Sequence, residues 1–214
     1  MKPKELNNIN YKRMSFLFIK ILLRAISIGL KPVFIDESKF TLKNENFKTW
    51  VKMNDFCHYG IKKIEKRNII LAVGVEKFFY YHITNKNTNT NIFKKFMIEL
   101  INKIQNISDY IFIMDNLRVH LSKEIKELVK LYKIKIIYTV PYESSFNPIE
   151  LSFRFIKNKI YRHIYSNIKE LQDDVEKIIN TKEFEVSLKK NFVETLEKYQ
   201  IYINNNININ LNDK

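Results

Sequence analysis

One cysteine, three glycines and four prolines are all that 214 residues contain of the types that most constrain a backbone. The lone cysteine excludes an intramolecular disulfide and any zinc site built on several thiolates, and it fits a reducing compartment. Three glycines exclude collagen, glycine-rich linkers and a glycine-rich dinucleotide-binding loop. A long apolar run is also missing. Residues 14–30 are apolar but broken by Lys20 and Arg24, well short of the ~20 residues that span a bilayer, and no cleavage motif follows. An amphipathic helix packed on the domain is expected there, with no membrane partner and no secretion. No internal repeat is visible.

What is abundant is apolar and basic. Hydrophobic residues make up 45% of the chain and aromatics 14%, enough for a substantial core. Lys plus Arg number 37 against 23 Asp plus Glu, a formal net charge of +14. A Lys- and Asn-rich composition accounts for part of that surplus; the rest favours a polyanionic partner.

Residues 33–36 read as a buried strand after Pro32, and 69–75 and 78–83 as a hairpin. Ile92, Phe93, Phe96, Met97, Leu100, Ile101 and Ile104 trace one helical face. A strand follows at 110–114, then a helix capped by Ser122 that turns Ile125, Leu128, Val129 and Tyr132 inward. The next strand is 134–140. Asn147-Pro148 then opens a helix, Asn as N-cap and Pro as first residue, with Ile149, Phe153, Ile156 and Ile160 as its stripe. Further helices fill 167–201, with Leu171, Val175 and Ile178 inward. Strands alternating with helices after a meander predict an α/β fold with a mixed sheet flanked by helices. The expected division is an N-terminal helical segment (1–31), a central domain (32–165), a C-terminal helical extension (166–203) and a low-complexity tail (204–214).

Asp36 and Asp115 each end a predicted strand, and Glu150 lies in the first turn of the helix opened by Asn147-Pro148. Should the first and fourth strands be neighbours, the two aspartates meet at one sheet edge with Glu150 above them. Three converging carboxylates repel unless a cation sits among them, and hard oxygen donors suit Mg²⁺ or Mn²⁺. Two such ions about 3.5–4 Å apart would bracket a phosphodiester. Arg154 and Lys157 follow Glu150 at helical spacing and are candidates for DNA phosphate contacts; an ordinary Glu150–Arg154 surface pair is the plainer alternative.

Three blocks carry a family resemblance: FIDES at 34–38, MDNLRVH at 114–120 and VPYESSFNPIE at 140–150. Together, over about Val33 to Ile179, they resemble the catalytic domain of mariner-like DDE transposases, of the ribonuclease-H-like integrase superfamily. Between Asp115 and Glu150 lie 34 residues, in keeping with that family. The resemblance implies a ribonuclease-H-like fold with a five-stranded mixed sheet, and a catalytic metal-binding triad of Asp36, Asp115 and Glu150 holding two Mg²⁺ or Mn²⁺ ions. Asn116, His120 and Asn147 would stand beside the site. The implied activity is hydrolysis of DNA at transposon ends followed by strand transfer into target DNA. Transposon-end and target DNA are the expected partners, with a homodimer as a further option, and the expected location is the nucleus of a eukaryote or otherwise the cytoplasm. A catalytically silent DNA-binding remnant is the alternative.

The chain also departs from the pattern. Val140, Glu143 and Ser144 replace the usual Pro-Pro-Tyr-Ser-Pro residues, and Asn54 stands where a glycine often follows the motif of Trp50. The family places helix-turn-helix units ahead of the catalytic domain, and the residues before Val33 are expected to be too few for them. His120 reads either as a group positioning phosphate or water or as a histidine satisfied by local bonds at a helix start. Cys57-His58 reads as structural, Phe78 to Tyr81 as core, and the run Lys62, Lys63, Lys66, Arg67 as a phosphate contact or a solvated loop.

Overall fold

The computed structural model of the chain describes residues 8–42, 65–141, 143–163 and 165–206. Trp50, Asn54, Cys57, His58, Lys62 and Lys63 lie outside the described residues. The elements in order are α1 (Asn8–Ser27), β1 (Lys31–Leu42), β2 (Glu65–Val73), β3 (Phe78–Thr84), α2 (Thr90–Asn102), β4 (Tyr110–Met114), α3 (Lys123–Leu131), β5 (Lys135–Tyr138), α4 (Ile149–Ile160), α5 (Ile168–Ile179) and α6 (Lys182–Asn206).

The five strands form one sheet in the order β3-β2-β1-β4-β5. The first three make an antiparallel meander, while β1–β4 and β4–β5 are parallel. This is the mixed, helix-flanked sheet expected from the alternation of elements. Strand periodicity divides the core between two faces. Phe34, Phe40, Ile69, Leu71, Ile111 and Ile113 face α1, α4, α5 and α6. Val33, Ile35, Ile70, Ala72, Phe112 and Met114 face α2 and α3.

The first strand is longer than the apolar run 33–36 predicts. Its pairing with β4 stops at Phe34↔Ile113, but β2 continues beside it from Asp36↔Leu71 to Leu42↔Glu65. Asp36 therefore stands in the middle of β1, two residues beyond the last β4 pair, rather than at a strand end. The hairpin also shifts: β2 ends at Val73, and the Gly74 amide donates to Lys77 O at 2.8 Å to close the turn. A Cβ on Gly74 would lie 2.7 Å from the Phe79 ring, so only glycine fits without displacing it.

Helix α1 starts ahead of the apolar stretch and buries Phe18, Ile19, Leu22 and Ala25 in the same cluster as α6. Gly29, at φ +91°, ends it: its amide bonds Ile26 O and that of Leu30 bonds Ala25 O, a Schellman closure. No helix among the described residues is long and apolar enough to cross a membrane. Helix α4 buries Ile149, Phe153, Ile156 and Ile160 as its spacing predicts, each contributing about 1.5–3 kcal/mol. Tyr199 of α6 is fully buried, and its hydroxyl donates to Phe146 O, tying α6 to the turn that launches α4.

Several smaller expectations change. Tyr132 takes the C-cap of α3 and is exposed, because the helix ends before it can turn inward. In α5, Ile178 is half-buried and packs against the core as expected, and Ile179 beside it is fully buried. The position of Ser122 is an N-cap, but its hydroxyl makes no capping bond and is buried without a partner among the described residues. Phe78 to Tyr81 sit on the edge strand β3 and are all half-buried. Phe78 and Tyr81 pack on one face, Phe79 and Tyr80 on the other.

Candidate active site

Because β1 and β4 are adjacent and parallel, residues just past their paired segments emerge at one end of the sheet. In open α/β sheets this carboxyl end is where ligands bind. Asp36 stands there on β1, Asp115 is the first residue after β4, and Glu150 is the second residue of α4. Asp36 Oδ1 accepts from the Glu37 amide at 2.7 Å, and Oδ2 accepts from Asn147 Nδ2 at 3.2 Å. Its pKa is raised from 3.8 to about 7. Burial is the largest cause; the charges of Glu37, Glu150 and Asp115 add to it, and the Glu37 amide opposes it. Asp36 thus feels both other acids of the predicted triad.

Asp115 is held from the opposite side. Its Oδ1 accepts from the Leu117 amide at 3.1 Å and pairs with His120 Nδ1 at 2.7 Å, a nitrogen that also donates to the Asp115 main-chain O at 3.1 Å. His120 is fully buried, lies 4.2 Å from the Phe93 ring centroid, and donates through Nε2 to Glu37 Oε1 at 3.1 Å. Burial works against charge on this imidazole. Its hydrogen bonds to Asp115 and Glu37, with their charges, outweigh burial and raise the pKa from 6.5 to about 10. His120 is therefore an imidazolium at neutral pH, bridging a carboxylate on each side. Of its two sequence readings, the local bond is present, from Nδ1 to Asp115 O, and a second bond reaches Glu37, 83 residues away.

Asn147 is buried and takes the N-cap of α4 as expected: its backbone is extended, Pro148 follows in helical geometry, and its Oδ1 accepts a long 3.4 Å bond from the Ile149 amide, while its Nδ2 reaches Asp36. Asn116 lies beside Asp115 but turns away, its Nδ2 donating to Thr139 O at 2.9 Å and joining the ends of β4 and β5. Lys157 leans over the Phe40 ring of β1 at 5.8 Å, on the Asp36 face of the sheet. Arg154 is exposed, and its charge is felt by Glu194 of α6.

Among the described residues, no three His, Cys, Asp or Glu side chains are gathered closely enough to cage a metal. The donor set fits a hard divalent cation nonetheless. It is all oxygen, Asp36 is pushed toward protonation by burial and then by neighbouring charge, and Mg²⁺ needs only one or two carboxylates besides water and substrate oxygens. Two recesses elsewhere, about 460 Å³ along β3 and about 360 Å³ around Lys31, Lys103 and Tyr110, contain none of the three acids.

Glu37 is the participant that sequence reasoning missed. Its signal was its parity with Val33 and Ile35: a carboxylate third in a buried row demands a partner.

The model of the DDE superfamily endonucleases matches residues 31–172, about two thirds of the chain. The chain belongs to that family. The DDE match spans all five strands, α4 and the three acids. Solved structures similar to this DDE chain include the Mos1 transposase paired-end complex with the left transposon end, at 15% identity and TM-score 0.73, covering 95% of this chain and 64% of that one. The catalytic domain of Mos1 mariner transposase matches at 13% identity and TM-score 0.70, covering 96% and 97%. The Mos1 catalytic domain with raltegravir and Mg matches at 12% identity and TM-score 0.71, covering 94% and 96%. No curated protein sequence matches significantly. The chain thus spans under two thirds of the Mos1 chain in the paired-end complex, and nearly all of the catalytic domain.

Proposed function

We propose that this chain is the catalytic part of a mariner-like DNA transposase, which hydrolyses phosphodiesters at transposon ends and transfers the freed 3′-hydroxyl to target DNA. The observation that carries the reading is the placement of Asp36 and Asp115 at the same end of the adjacent parallel strands β1 and β4, with Glu150 in the first turn of α4 and near enough for its charge to act on Asp36. A polar corner of that kind is costly unless ionic charge is brought to it. Asp36, Asp115 and Glu150 would hold Mg²⁺ or Mn²⁺, two ions in the full site. When bound, such ions activate an attacking oxygen and stabilise a leaving one.

The protein's own groups prepare that corner. Asn147 fixes Asp36 Oδ2, His120 fixes Asp115 Oδ1, and the first turn of α4 presents Glu150 where the helix dipole favours its negative charge. Lys157 and Arg154 would meet DNA phosphates as the strand enters. The net charge of +14 favours that polyanion. Mos1 transposase has been solved with its left transposon end and with Mn or Mg, which supports transposon-end DNA and those metals here. Pairing two ends calls for two chains, so a homodimer belongs to the proposal, as does action in the nucleus of a eukaryotic host.

A nicking assay on supercoiled plasmid tests the reading. Mg²⁺-dependent nicking that disappears in Asp36→Asn, Asp115→Asn and Glu150→Gln supports it. Salt-sensitive DNA binding without cleavage would point instead to a silent binding remnant, and nicking that survives all three changes contradicts the assignment.

A further inference from the structure

Asp36 and Glu37 are neighbours on β1, so the strand turns them to opposite faces of the sheet. Glu37 enters the layer lined by Val33 and Ile35 and meets His120, whose other nitrogen meets Asp115. We infer that Glu37 is a positioning residue for metal binding, acting through His120 to fix the rotamer of Asp115. The inference rests on the metal-dependent reading above and goes beyond it by adding a residue outside the three acids.

The geometry is directional. The Leu117 amide and His120 Nδ1 both meet Asp115 at Oδ1, and Nδ1 also holds the Asp115 main-chain O at 3.1 Å. Oδ2 has no hydrogen-bond partner among the described residues, so it is the oxygen left for a cation. Asp115 sits past the end of β4 with a side chain 38% exposed, where nothing in the strand ladder holds its rotamer. His120, by contrast, is fully buried against Phe93, and Glu37 is only 14% exposed. Rigidity therefore passes from β1 through Glu37 and His120 to Asp115. One central strand sets two ligands, Asp36 directly and Asp115 at second hand. Glu37 Oε2 is buried without a partner among the described residues, a cost that burying a carboxylate here incurs. Groups that orient metal ligands in this way typically change metal affinity by 10–100-fold when removed.

Calorimetric titration of Mn²⁺ into the full chain, with thermal melts to show that each variant is folded, tests the inference. Glu37→Gln is expected to weaken Mn²⁺ binding about tenfold. His120→Asn, which keeps a donor near Asp115 but cannot reach Glu37, is expected to weaken it to a similar degree. The double variant should be no weaker than His120→Asn alone, because Glu37 acts only through the imidazole. A purely structural Glu37 would lower the melting temperature and leave Mn²⁺ affinity unchanged. Should Glu37→Gln fail to fold, Glu37→Asp, one methylene shorter with its charge kept, is expected to show a smaller loss of affinity and serves as the test in its place. Wild-type affinity in the folded Glu37 variant, or additive losses in the double variant, overturns the inference. A wild-type chain that takes up no Mn²⁺ removes the metal reading and this inference together, which separates the two failures.

Discussion

The two faces of β1 treat adjacent carboxyls in opposite ways. On the α4 side, Asp36 is surrounded by other acids and its one side-chain donor is the neutral amide of Asn147. On the α2–α3 side, Glu37 meets the His120 imidazole, which it shares with Asp115. The first arrangement is poor for stability and suited to receiving a cation; the second is closed and satisfied on one oxygen. A strand that carries both shows how a fold can hold an unstable charge rigidly, by anchoring its neighbour.

Removing the open face's charge should give the largest effect. Asp36→Asn, Asp115→Asn or Glu150→Gln is expected to lower Mg²⁺-dependent nicking by about 10³-fold or more, several kcal/mol of lost charge stabilisation, with circular dichroism unchanged. Next comes the support of the closed face. Phe93→Ala removes the ring packed against His120 and should cost about 3–5 kcal/mol in urea unfolding. No comparable penalty is expected of Leu117→Ala, an exposed residue whose amide, not its side chain, holds Asp115.

The pH dependence sharpens the contrast further. Between pH 3.8 and about 7 the folded chain keeps a proton on Asp36 that the unfolded chain has lost, so metal-free stability falls as pH rises through that window. His120 adds stability that is fully present below pH 6.5 and is lost as pH rises through about 10. Melting temperature without metal should therefore decline from acid to alkaline pH. Asp36→Asn is expected to raise it at pH 8 by about 3–6 °C, at roughly 2–4 °C per kcal/mol for this length, and to change it little near pH 4. Added Mg²⁺ should stabilise the wild type more at pH 8 than at pH 5, since the proton competes with the ion. The smallest effect is at the rim: Lys157→Ala and Arg154→Ala should each reduce the salt slope of DNA binding by about one.

Much of this was readable in the chain. The periodicity of Phe93 to Ile101 and of Ile149 to Ile160 gave helices α2 and α4 with the correct inward faces, and short apolar runs located β4 and β5. The acids Asp36, Asp115 and Glu150 stood out because strand ends and helix starts are where α/β folds expose side chains. What could not be read was pairing. The length of β1 depends on β2 continuing past the end of β4, and nothing local to residues 37–42 announces that. The role of Glu37 depends on His120, which reaches it only after the sheet and α2 have assembled. Asn147 does more than its sequence setting announces: its Oδ1 caps α4, while its Nδ2, a donor with no part in capping, reaches Asp36 from 111 residues away in the chain.

The central claim is that Asp36, Asp115 and Glu150 share bound divalent cation. Crystals of the chain grown with Mn²⁺, measured for anomalous scattering at the manganese edge, test it without reference to activity. The account predicts an anomalous peak within coordinating distance of Asp36 and of Asp115 Oδ2, with Glu150 turned toward it. Crystals saturated with Mn²⁺ that show no peak between these three side chains would contradict it.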